Sequence, residues 1–245
     1  MILAIDAGNT RIKWGLRHAG AWAQVGSCAT ADNKALVDWA ATLRGHEFER
    51  ILVSNVAGVD AKACIEEVLR GATAMPEFIV SQPMQCGVRS SYDEPNQLGC
   101  DRWAALIGAR SLHAGPAVVV MAGTATTVDA LDGDGRFRGG LILPGLALMR
   151  AALARNTAGL PHAAGHYQAM PTNTDDAIVS GAIHATLGAI ERMRATLGED
   201  ALCLLSGGAA GELVPHLELP QRQIDNLVLE GLARYSRTIS AVPRQ

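Results

Sequence analysis

The sequence predicts an α/β protein of two lobes with mixed sheets and a cleft between them, residues 1–114 forming the first lobe and 115–245 the second. Three observations lead there. Each half opens on a short apolar strand, a Gly/Thr turn and a second strand, with helices only later. The apolar period changes from two to helical near residue 32. Hydrophobic residues make up 49% of 245 and charged residues only 18%, enough to fill a sizeable core.

The elements follow in order. Residues 2–5 are an apolar run that stops at Asp6 and a Gly8-Asn9-Thr10 turn. Ile12, Trp14 and Leu16 then alternate with Lys13, Gly15 and Arg17, the period of a half-buried strand. A third strand is expected over 21–28, and loops this short make the three strands hairpins. After Asp32, a natural cap, Leu36, Trp39, Ala40 and Leu43 lie on one helical face. A strand at 51–54, a helix at 61–70 and a strand at 78–80 come next. Residues 82–97 hold Pro83, Gly87, Pro95 and Asn96 and read as a long loop, more often functional than idle at that length. Leu98, Trp103, Leu106 and Ala109 predict a helix over 98–112.

The second half opens with a strand at 117–122 leading into Gly123-Thr124. Thr126, Val128 and Ala130 continue as a strand. Residues 132–135 turn into a strand at 137–143. A helix at 146–153, a loop at 156–171 and a long helix at 174–197 follow, with Thr174 as cap ahead of Asp175 and Asp176. A strand at 201–205 ends at Ser206-Gly207-Gly208, and a helix over 223–235 closes the chain.

Composition narrows the partners. Lys and Arg number 21 against 24 Asp and Glu, a formal charge of −3, so neither nucleic acid nor an anionic membrane is expected. Aromatic residues are only 4%, few platforms for stacking bases. The five cysteines are scattered and never in a C-x-x-C pair, which reads as reduced cytosolic thiols and not a zinc site or disulfide frame. The early Asp6 argues against a signal peptide, and no apolar run reaches the roughly 18–20 residues of a membrane span. A soluble, cytoplasmic protein is expected.

Glycines number 26, a surplus that suits loops built round a ligand. Two Gly/Thr turns end strands: Asp6-Ala7-Gly8-Asn9-Thr10 and Ala122-Gly123-Thr124-Ala125-Thr126-Thr127. Glycine lets the backbone approach a phosphate, and the following N–H groups and threonine hydroxyls can face its oxygens. Lys13 adds a positive charge, and Asp6 suits a hydrated Mg²⁺. Either turn alone is ordinary hairpin chemistry; one in each half favours phosphate contact. Neither a P-loop nor G-x-G-x-x-G is present. Ser206-Gly207-Gly208 is either a passage beneath a nucleoside or a plain helix entry.

Gly99-Cys100-Asp101-Arg102 opens the helix after the long loop, just beyond Tyr92 and Asn96. An Asp there ordinarily caps the helix or balances its dipole. Beside an Arg, it also has what phosphoryl transfer requires: a carboxylate for the attacking hydroxyl and a cation for an anionic acceptor. Asp129 is either a turn-proximal charge or a group facing metal. No histidine spacing, catalytic triad or G-x-S-x-G suggests another chemistry.

Taken in order, Asp6-Ala7-Gly8-Asn9-Thr10, Gly99-Cys100-Asp101-Arg102, Gly123-Thr124-Ala125-Thr126-Thr127-Val128-Asp129, Gly139-Gly140 with Pro144-Gly145, Thr157-Ala158-Gly159-Leu160-Pro161, Thr174 with Gly181, and Ser206-Gly207-Gly208 resemble the type III pantothenate kinase family. The resemblance covers almost the whole chain. It implies the acetate and sugar kinase/Hsc70/actin fold, two ribonuclease H-like lobes, and ATP-dependent phosphorylation of pantothenate to 4'-phosphopantothenate, the first step of coenzyme A synthesis. Carried over residue by residue, Asp6, Ala7, Gly8, Asn9, Thr10, Arg11, Ile12 and Lys13 would hold ATP phosphates, with Asp6 near Mg²⁺. Gly123, Thr124, Gly207 and Gly208 would also contact ATP. Tyr92, Gly99, Cys100, Asp101, Arg102 and Thr174 would line the pantothenate site, with Asp101 as proton acceptor. The resemblance also implies a homodimer and a monovalent cation, K⁺ or NH₄⁺. Family members carry Asp two residues before the Gly of the G-T-A block; here that residue is Met121, whose thioether is no ligand for a hard cation. A regulatory or transcription accessory protein on the same fold, or a kinase of another small alcohol, stand as alternatives.

Overall fold

The computed structural model describes residues 1–157, 159–160 and 164–238. Ala158 and Pro161 of the expected motif, and His162, lie outside them.

The chain divides into two compact units. The first begins with β1 (Ile2–Ala7), β2 (Arg11–His18) and β3 (Ala21–Ala29), an antiparallel meander. α1 (Asn33–Thr42) leads to β4 (Arg50–Asn55), parallel to β1, and α2 (Val59–Val68) to β5 (Pro76–Phe78), parallel to β4. The sheet order is β3-β2-β1-β4-β5. Asp32 caps α1, its carboxylate accepting the Ala35 N–H at 2.9 Å. Leu3, Ile5 and Ala7 of β1 and Ile51 and Val53 of β4 meet Leu36 and Trp39 of α1 and Ile65 of α2 in a closed core. Alternation then turns Asp6 and Ser54 to the opposite face.

The expected long loop carries structure of its own: a two-stranded hairpin, β6 (Met84–Gln85) and β7 (Val88–Arg89), and a 3-10 turn Pro95–Gln97. Cys86 and Gly87 both have positive φ at the hairpin tip, the tight turn that two-residue connections favour. α3 then runs Cys100–Leu112.

The second unit, His113–Asn226, repeats the plan. β8 (Ala117–Ala122), β9 (Ala125–Leu131) and β10 (Phe137–Pro144) form a meander, followed by α4 (Leu146–Asn156), α5 (Thr174–Ala195), β11 (Leu202–Ser206), the short α6 (Ala210–Leu213) and β12 (Gln221–Gln223). The sheet order β10-β9-β8-β11-β12 has the first sheet's mixture of antiparallel and parallel pairs. Ile178, Ile183 and Leu187 of α5 cover Val118, Val120 and Leu205. Asn173, not Thr174, caps α5: its side chain accepts the Asp176 N–H, and Thr174 is the first helical residue.

The last helix, α7 (Leu227–Tyr235), belongs to the first unit, whereas the division by sequence assigns it to the second. It also starts later than expected, because Gln221–Gln223 pairs with β11 as a strand. Gly108 of α3 and Gly231 of α7 explain the packing. A Cβ on Gly231 would fall onto the Ala104 carbonyl, and one on Gly108 onto that of Leu227, so the two backbones approach as only glycine permits.

Candidate functional site

In the first unit, β1 and β2 are joined through Gly8, whose N–H donates to the Arg11 carbonyl at 3.0 Å. Asn9 and Thr10 are exposed at the tip. Thr30, at the end of β3, braces the turn: its hydroxyl donates to the Gly8 carbonyl at 2.6 Å and its N–H to the Thr10 carbonyl at 3.0 Å. Sequence reasoning missed Thr30, because only the β2–β3 register returns it to the turn. Of the expected ATP segment, Ala7 and Ile12 are buried in the core, so only their backbone can face a ligand. The Arg11 guanidinium donates to Ser27 at 2.6 Å.

Asp6 stands opposite Lys13 on β2 and beside Ser54 on β4. Its carboxyl is pushed up from 3.8 to about 7, first by desolvation and then by the charge of Asp101, with Lys13 pulling the other way. The nearby Asp101 carboxylate thus disfavours the charged form of Asp6. A hard divalent cation relieves such a pair, so this donor set fits Mg²⁺ held through carboxylate and water. Among the described residues there is no group of three or more His, Cys, Asp and Glu side chains that holds a metal alone.

Asp101 and Arg102 occupy the first turn of α3, where backbone N–H groups lack helical partners. The Arg102 N–H donates to Asp101 Oδ1 at 2.8 Å. Gly99 leaves room for that carboxylate, since a Cβ there would lie 2.6 Å from Oδ1. The Arg102 side chain is buried, and its Nη1 donates to the Tyr92 hydroxyl at 3.1 Å with the guanidinium 5.9 Å from the ring centre. The loop before α3 is thereby tied to its first turn. Cys100 binds the end of β4 through Ser54 and Asn55.

In the second unit, the Gly123 N–H donates to the Ala125 carbonyl at 3.1 Å, the counterpart of the Gly8 turn. Gly123 and Thr124 are exposed. The Gly145 N–H donates to the Thr124 carbonyl at 2.9 Å. β11 runs parallel to β8, and the Ala209 N–H reaches the Ala122 carbonyl at 3.0 Å. The structure thus brings Gly207 against the end of β8, where a Cβ would overlap Ala122. Two glycine turns leave adjacent parallel strands at their carboxyl ends, the customary ligand edge of an α/β sheet. Asp129 is buried within β9, opposite Val119, and is no surface turn residue. Met121 is half-buried in β8 opposite Thr127 and Ser206; it does not fit a K⁺ or NH₄⁺ ligand, so no residue is assigned to that cation.

Thr174 is exposed and borders a groove of about 690 Å³ between α4 and α5, with Leu148, Met149, Leu153 and Ile178 among its walls. No helix of the described residues is long and apolar enough to cross a membrane.

A family model described as type III pantothenate kinase matches residues 2–196. A curated relative from Aromatoleum aromaticum, "Type III pantothenate kinase", is 53% identical over 243 residues, covering 98% of this chain and 100% of its own. Among solved structures, a Sinorhizobium meliloti protein ascribed to the 2-dehydro-3-deoxygalactonokinases has a TM-score of 0.64 at 18% identity, over 99% of this chain and 100% of the other. A Campylobacter jejuni protein assigned to the Baf family of transcriptional activators has a TM-score of 0.64 at 19% identity, over 95% and 96%. At those identities the structural likeness shows the fold alone.

Proposed function

Because the chain belongs to the type III pantothenate kinase family, we propose that it transfers the γ-phosphoryl group of ATP to the primary hydroxyl of pantothenate, yielding 4'-phosphopantothenate and ADP. The observation that carries the assignment of Asp101 as general base is its carboxylate, oriented by the Arg102 N–H at 2.8 Å and sharing a field with Asp6.

The Gly8–Thr10 and Gly123–Thr124 turns offer N–H groups and hydroxyls to the ATP phosphates, with Lys13 adding charge. Gly207 and Gly208 leave space for the nucleoside. Asp101 takes the hydroxyl proton as the oxygen bonds to the γ-phosphorus, while the bridging β–γ oxygen leaves with ADP. Tyr92 and Arg102 hold the acceptor, Arg102 at its carboxylate or amide end, with Gly99 and Cys100 beside them; Thr174 is a further proposed acceptor contact. Asp6 would hold Mg²⁺, which when bound neutralises phosphate charge.

We assign the reaction to the cytoplasm, in keeping with free Cys28, Cys64, Cys86, Cys100 and Cys203. A homodimer is proposed on the apolar face of α4, where Leu148 and Leu153 are 43% and 39% exposed. Light scattering of Leu148→Lys at several concentrations checks it. The decisive assay is ATP-dependent phosphorylation of pantothenate, run in K⁺, NH₄⁺ and Na⁺ and against other small alcohols. ATP turnover that ignores pantothenate overturns the assignment and returns the accessory-protein alternative.

A further inference from the structure

β4 outlasts its neighbour. Its pairing with β5 ends at Val53 opposite Phe78, and the ladder's last bond on that side is the Ile79 N–H to the Val53 carbonyl. In a strand, residues two apart aim their N–H and C=O to the same side. Asn55 therefore presents a donor and an acceptor where no strand remains to meet them. Cys100 meets both. The Asn55 N–H donates to Cys100 Sγ at 3.2 Å, and the thiol lies 3.4 Å from the Asn55 carbonyl as its donor. The buried Ser54 hydroxyl adds a third bond to the same sulfur at 3.4 Å. Burial pushes the Cys100 thiol up, aided by the nearby carboxylates, which keeps the proton needed to donate.

We infer that Cys100 is a positioning residue for Asp101: its thiol substitutes for the missing strand partner of Asn55 and so fixes the first turn of α3 against the end of β4. On its other edge β4 is locked to β1, with Asp6 beside Ser54 and the Val56 N–H on the Ala7 carbonyl at 2.9 Å. The Cys100 sulfur thus hydrogen-bonds the strand beside Asp6 to the turn that carries Asp101. A thiol or hydroxyl serves as donor and acceptor together; a methyl group serves as neither. The kinetic consequence rests on the proposed phosphoryl transfer, whereas the structural consequence does not.

Cys100→Ala, Cys100→Ser and Ser54→Ala are compared with the wild-type chain by steady-state kinetics and by amide NMR. Cys100→Ala is expected to lower kcat about 10- to 100-fold, the cost of a misplaced reacting group, with KM for ATP unchanged. Cys100→Ser is expected to restore most of kcat. Ser54→Ala, which removes a single bond, should give a smaller loss and serves where Cys100→Ala does not fold. In the spectra, Cys100→Ala should move the Asn55 and Arg102 amide signals, and Cys100→Ser should leave that of Arg102 near its wild-type position. Wild-type kcat in Cys100→Ala, or a loss that serine does not restore, overturns the positioning role. Should the wild-type chain fail to phosphorylate pantothenate, the functional proposal falls; the NMR comparison then decides alone, and an unmoved Arg102 signal rejects the pin.

Discussion

Asp6 and Asp101 reach the same electrostatic environment from different elements, one at the end of β1 and the other in the first turn of α3, and the charge of Asp101 helps to raise the Asp6 carboxyl to about 7. Neighbouring carboxylates are costly in a bare protein. They suit a site that receives a cation and a proton, the tasks proposed above for Asp6 and Asp101.

Asp101→Asn keeps the shape and the acceptor oxygen for the Arg102 N–H but cannot take a proton. Its kcat should fall roughly 10²- to 10⁴-fold, the usual scale for a positioned base, with an unchanged melting temperature. Turnover near the wild-type value would remove Asp101 from that role.

The raised Asp6 carboxyl makes stability depend on pH with a definite sign. Well below pH 3.8, folded and unfolded chains both hold this proton. Between 3.8 and about 7 the unfolded chain releases it first, so stability falls as pH rises; above 7 the penalty is constant. Asp6→Asn should therefore stabilise the protein free of Mg²⁺ and nucleotide by about 1–3 kcal/mol at pH 8, at 1.36 kcal/mol per unit less screening. The gain should shrink towards nothing at pH 4. Urea unfolding across that range measures it, and a pH-independent gain would refute the raised carboxyl.

The Tyr92 hydroxyl accepts from Arg102 Nη1, and that bond holds a planar guanidinium that lysine does not imitate. Tyr92→Phe and Arg102→Lys should each raise KM for pantothenate about tenfold, as expected for one hydrogen bond to a charged group. KM for ATP should stay as it is. An effect on ATP alone would place the pair elsewhere in the reaction.

Gly231→Ala tests the contact between α3 and α7. Helix propensity by itself favours alanine by about 1 kcal/mol, yet the new Cβ would overlap the Ala104 carbonyl. Overpacking costs of about 1–3 kcal/mol should win, and the melting temperature should drop. A stabilised variant would show that the helices can separate without penalty.

The sequence by itself determined most of the strands and helices and both glycine turns, because alternation, helical period and turn chemistry are local properties; the short strands β6, β7 and β12 carry too few residues to show a period. Asp101 and Arg102 were legible for the same reason, as four contiguous residues at a helix start. Tertiary structure decided what neighbouring residues along the chain cannot encode. Thr30 braces Gly8 only through sheet register, and the Asn55 backbone meets Cys100 where the pairing with β5 has ended. α7 returns to the first unit because glycines on two distant helices fit together. Each depends on side chains or backbone groups brought close by folding, and no period in the sequence records such proximity.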